Sequence, residues 1–142
     1  MQIRFHVSDL VEDLPHPGFY HSTILSAELR RSQRGSHMVR VVHALDGVPV
    51  AHDRVWDYFV LSGASPRGVA MARRRLVQLH RACGFSPRED EPISLAKLEG
   101  ARVEVKVEHT TFEGERRLRV VAYRAALAGE PSATEDRERS AS

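Results

Sequence analysis

Residues 65–84 read SPRGVAMARRRLVQLHRACG, and they decide the fold through their position: three strand-like runs precede them and a two-strand hairpin follows. Ser65 and Pro66 make a helix start and Gly84 a stop, which predicts one helix of about five turns over residues 66–83. On a 3.6-residue wheel Val69, Ala72, Leu76, Leu79 and Cys83 share one face, whereas Arg67, Arg74 and Arg81 line the opposite one. The apolar side is expected to cover a sheet. The arginine stripe reads first as a solvated face, with a second nucleic-acid path or a subunit contact as its alternatives.

Upstream, Phe19 to Arg30 alternates as a half-buried strand, with Phe19, Thr23, Leu25, Ala27 and Leu29 on the expected core side and Ile24 out of pattern. A polar turn, Arg31 to Ser36, leads to a second strand from Met38 to Leu45 with Val39, Val41 and Leu45 on one face. After Asp46-Gly47 a third strand runs from about Asp53 to Leu61, where Val55, Phe59 and Leu61 oppose Arg54, Trp56, Tyr58 and Val60. Downstream of a connector with a short turn around Leu95 to Leu98, Val103, Val105 and Val107 alternate with charged residues. The chain turns at Phe112-Glu113-Gly114-Glu115 and returns from Arg116 to Tyr123. The order β-β-β-α-β-β predicts a mainly β protein: an OB-fold, a five-stranded β-barrel with one α-helix between strands 3 and 4. Such barrels hold single-stranded nucleic acid or oligosaccharide.

The 142 residues suit one domain, with 42% hydrophobic and 28% charged residues. Residues 1–13 are read as an N-terminal arm, 14–126 as the OB-fold domain and 127–142 as a disordered C-terminal tail. The net charge of +2 hides an uneven distribution: residues 14–126 hold 18 Lys/Arg against 12 Asp/Glu, and the two flanking segments carry −2 each. With no apolar run long enough for a membrane span and no signal-peptide pattern, a cytoplasmic protein without membrane contact is expected. The lone Cys83, on the apolar helix face, reads as a small buried hydrophobe.

Several short motifs, in order and spacing, resemble the DUF669 family of phage OB-like single-stranded DNA-binding proteins. They are Leu14-Pro15 with Gly18-Phe19-Tyr20, Ala27-Glu28, Gly35 before Met38, Asp46-Gly47 and Val55-Trp56-Asp57. The helix segment Arg75-Leu76 to Gly84, then Leu98-Glu99-Gly100 and Val103 to Val107, complete the set. The resemblance covers about residues 5–124 and implies single-stranded DNA binding in phage replication or recombination, in a bacterial host's cytoplasm. Three departures stand out: His52 where a glycine is usual, an Arg-rich instead of Lys- and Thr-rich first hairpin loop, and a tail without the terminal Phe that many single-strand binders use to recruit partners.

Sequence-independent binding of a single strand needs positive charge along the phosphates and flat side chains for the bases. Arg31, Arg34 and Arg40 cluster in the first hairpin, where no acid occurs between Glu28 and Asp46, and are candidate phosphate contacts. Arg54, Trp56 and Tyr58 share a parity on the third strand; facing outward they are a cation and two stacking platforms, and facing inward Trp56 is the core anchor. Phe112 at the hairpin tip is a further stacking candidate, and Arg117 and Arg119 are expected to project from the last strand, toward DNA or into pairs with Glu113 and Glu115. The histidines lack metal-ligand spacing, and Asp53 and Asp57 lie roughly 13 Å apart along one strand face, too far to share an ion. The reading is therefore a non-enzymatic, cofactor-free and metal-free binder of single-stranded DNA, possible as a homo-oligomer. The alternative is an OB-like protein-protein interaction or oligomerisation module in which Trp56 and Phe112 anchor an interface.

Overall fold

A computed structural model of the chain describes residues 14–63, 65–87 and 93–126. The arm and tail segments fall outside the described residues. Five antiparallel strands, β1 (Gly18–Arg31), β2 (His37–Leu45), β3 (Arg54–Val60), β4 (Arg102–Phe112) and β5 (Glu115–Ala125), form one sheet in the order β3-β2-β1-β4-β5. The helix α1 (Pro66–Ala82) joins β3 to β4, so the fold is mainly β with one helix where the sequence places it. Ser65 caps it by accepting the Gly68 N–H at 3.1 Å, and the chain leaves through Gly84 at a φ of 94°. Ala72, Leu76, Leu79 and His80 are its buried residues. None of the described helices is long and apolar enough to cross a membrane.

A closed barrel is the sequence expectation that the structure revises. The edge strands β3 and β5 approach one another, but no backbone ladder joins them. Side chains span the gap instead, which leaves an open seam along one side of the sheet. The core inside the curled sheet is built from Ile24, Val39, Val41, Val55, Phe59, Leu79, Leu98 and the Val103, Val105, Val107 row, each at most 2% exposed.

The face assignment of the first strand is also revised. Ile24, the residue that breaks the alternation, is fully buried, whereas Leu25 and Leu29 are exposed. A bulge between Ile24 and Ser26 in the pairing with β2 switches the inward parity at Leu25: Ser22 and Ile24 face the core before it and Ala27 after it, whereas Leu29, opposite Val39, keeps the core-side parity and is exposed near the end of the strand. The connector satisfies the disturbed backbone: Gly100 N–H donates to Ile24 O at 2.7 Å, Ile24 N–H to Ala101 O at 2.9 Å, and Ala27 N–H to Glu99 Oε2 at 3.3 Å. The Leu98-Glu99-Gly100 triplet thereby clamps the bulge while Leu98 fills the core beneath it. A second register shift, opposite Lys106 and Val107, carries β5 past Val121, so that Tyr123 faces the core side together with Val120.

Candidate nucleic-acid interface

Alternation on β3 turns Val55, Asp57 and Phe59 inward, and Arg54, Trp56 and Tyr58 therefore point outward. Trp56 and Tyr58 are each 48% exposed, so Trp56 is not the core anchor. Cross-strand register sets Tyr58 beside Arg40 and Trp56 beside Val42, and continues from Arg40 to Glu28 on β1. The Arg40 guanidinium donates to Glu28 at 2.9 Å, and Arg30 reaches the same carboxylate at 3.2 Å, so part of the charge on this face is already matched. Arg54 donates to Asp53 at 2.7 Å.

The β4–β5 hairpin builds the facing wall. Its two-residue loop, Glu113 and Gly114, has φ values of 52° and 81°, the left-handed pair of a tight hairpin turn. That turn holds Phe112 at the tip, 54% exposed, with the Arg117 guanidinium 4.9 Å above its ring. Arg117 also pairs with Glu115 at 3.3 Å, and Arg116 approaches His109, whose other ring nitrogen bonds to Pro15 O at 2.7 Å. Between the walls runs a groove of about 790 Å³ along the open seam.

Six of the nine residues singled out from the sequence line this groove: Arg54, Trp56, Tyr58, Phe112, Arg117 and Arg119. Arg40 adjoins it on the same sheet face through Tyr58, and Arg34 is exposed in the β1–β2 turn. Arg31 is not brought to this surface. It pairs with His37, two residues from inward-facing Val39, and its guanidinium lies 3.2 Å from the His37 ring on the opposite side of the sheet from Arg40.

The groove floor holds a cluster the sequence reading did not assemble. Asp57 Oδ1 accepts from Arg75 Nη2 at 3.0 Å, Tyr123 donates its hydroxyl to Asp57 Oδ2, and Arg75 Nη2 also donates to the Tyr123 oxygen at 2.9 Å. The Arg75 guanidinium stacks 4.9 Å from the centre of the Phe59 ring. Burial raises the Asp57 carboxyl above its ordinary value against the pull of Arg75, and burial together with the Asp57 charge pushes the Tyr123 phenol well up. Fully buried His43 stands 3.9 Å from Asp57, with no hydrogen-bond partner for either ring nitrogen among the described residues. The available signals were the inward parity of Asp57 and the wheel position of Arg75 beside Leu76 and Leu79.

Cys83 is half-buried, and burial raises its thiol to about 11, which disfavours the thiolate. Among the described residues no three His, Cys, Asp or Glu side chains converge to hold a metal ion.

Compared with protein-family models, the chain matches none. It matches no curated protein either. Among solved structures it is similar to a chain of yeast RPA bound to ssDNA, at 8% identity and a TM-score of 0.38, over 100% of this chain and 99% of that one. So distant a likeness assigns no role to any residue.

Proposed function

We propose that this chain is an open OB-type barrel that binds single-stranded DNA without reading its sequence. One observation carries the reading: two outward aromatic rings, Trp56 and Tyr58, face Phe112, Arg117 and Arg119 across a single groove. Flat rings take bases of any identity, and guanidinium groups on both walls take the phosphates between them. Strand order supports the architecture, because β1 lies between β2 and β4 and the two ends of the sheet curl toward each other, as in a five-stranded barrel with one unzipped seam. Catalysis has no part in this proposal. The resemblance to the phage single-strand binders adds replication or recombination as the setting.

Titration of Trp56 fluorescence with oligo-dT and with duplex DNA tests the proposal. Quenching by the single strand, weakened by added salt, is the expected result. No response to either nucleic acid, with a dimer in light scattering, refutes it and assigns Trp56 and Phe112 to a protein interface.

A further inference from the structure

The groove is chemically divided between rim and floor. Its rim carries Arg54, Arg116, Arg117 and Arg119, only partly offset by Asp53 and Glu115. On the floor Arg75, the one cation there among the described residues, is matched by Asp57, and around it the lining is apolar, with half-buried Leu118 over buried Val55 and Val120. A phosphate gains little from a matched cation set among aliphatic side chains, whereas a neutral heterocycle needs such walls and a few fixed polar groups. Both Arg75 hydrogen bonds use Nη2, and among the described residues its Nε and Nη1 have no partner. The Asp57 oxygens, in contrast, are already taken by Arg75 and Tyr123. The floor therefore offers donors to a ligand.

We propose that the seam between β3 and β5 is a slot for one unpaired nucleobase, which enters edge first and accepts from one of the two unpartnered sides of Arg75, Nε–H or Nη1–H, while its phosphates stay on the rim. The inference rests on the nucleic-acid reading above and deepens it. Adenine offers only ring nitrogens, and N1 and N7 flank its own 6-amino donor, which a donor-lined slot repels, so thymine, guanine and cytosine enter through their carbonyls in preference to adenine. This is a preference for composition within a binder that reads no sequence. A base held in a duplex cannot enter the slot, which excludes double strands from it.

The test uses the full chain, an oligo-dT, an oligo-dA of equal length and the corresponding abasic strand. Arg75→Lys keeps a positive charge beside Asp57 but removes the Nε–H and Nη1–H donors; Leu118→Trp fills the slot from its floor. The parent protein is expected to favour oligo-dT over oligo-dA, and each variant to shrink that ratio by about tenfold while binding the abasic strand as the parent does. Self-stacking of oligo-dA is common to all three proteins and cancels in the comparison. An unchanged ratio in both folded variants, with Trp56→Ala weakening the base-bearing strands, overturns the slot and leaves single-strand binding at the rim intact. Failure of the parent to bind any of the strands overturns both proposals.

Discussion

Tyr123 on β5 donates its hydroxyl to Asp57 on β3, joining the two edges of the sheet where no backbone hydrogen bond does. Arg75, arriving from α1, bonds to both and ties the helix to the same point. Removing the hydroxyl with Tyr123→Phe leaves a buried carboxylate oxygen without its donor, at a cost of about 1–3 kcal/mol. Urea denaturation measures it. Unchanged stability would mean that the latch does not hold the seam.

Acid should loosen the protein through His43. Burial holds this imidazole at about 4, against 6.5 for the unperturbed group. Above 6.5 both folded and unfolded chains are neutral there and the contribution is whole. As the pH falls from 6.5 toward 4 the unfolded chain takes up a proton that the folded chain refuses, and on the order of 3 kcal/mol is lost before the effect levels off. Asp57, raised by burial, acts in the opposite sense: its contribution is full below the ordinary 3.8 and is lost as the pH climbs through its folded value. The clean measurement is therefore His43→Leu against the parent. The variant should be the more stable at pH 7, since two unsatisfied nitrogens are gone, and should lose less stability on acidification.

Trp56→Ala should weaken binding of oligo-dT by about 1–3 kcal/mol while the melting temperature stays near that of the parent, because the ring is outward and half exposed. A large fall in melting temperature would show the ring to be structural.

Salt dependence separates the arginines. Each phosphate contact to a single strand contributes about −0.7 to the slope of log affinity against log salt, so four or five contacts give roughly −3. Arg119→Gln, on the groove wall, should make the slope shallower by about 0.7, and Arg31→Gln, on the other side of the sheet, should leave it unchanged. Equal effects from both would show that the strand does not follow the groove.

Glu113 holds a left-handed φ of 52° beside Gly114. Asparagine tolerates that conformation better, so Glu113→Asn should stabilise the hairpin by about 0.5–1 kcal/mol in thermal or urea unfolding and leave DNA binding unaltered. A loss of stability would indicate that the Glu113 side chain contributes to the turn.

Local chemistry by itself determined the element order, the helix with its Ser65 cap and Gly84 stop, the Glu113-Gly114 turn and the common parity of Arg54, Trp56 and Tyr58, though not which way that row faces. Each depends on residues a few positions apart, and period 2 or 3.6 makes their common face legible. Tertiary structure alone decided the rest. One bulge after Ile24 switches the inward parity part-way along the first strand, from Ile24 to Ala27, and the signal left in the sequence was a single misfit apolar residue. Arg31 fell on the far side of the sheet because strand parity, not proximity in the chain, assigns faces. The open seam and its Asp57, Arg75 and Tyr123 floor depend on where strands 66 residues apart come to rest and on a helix packed over both. No local pattern encodes such a meeting, since it follows from the summed twist and register of five strands.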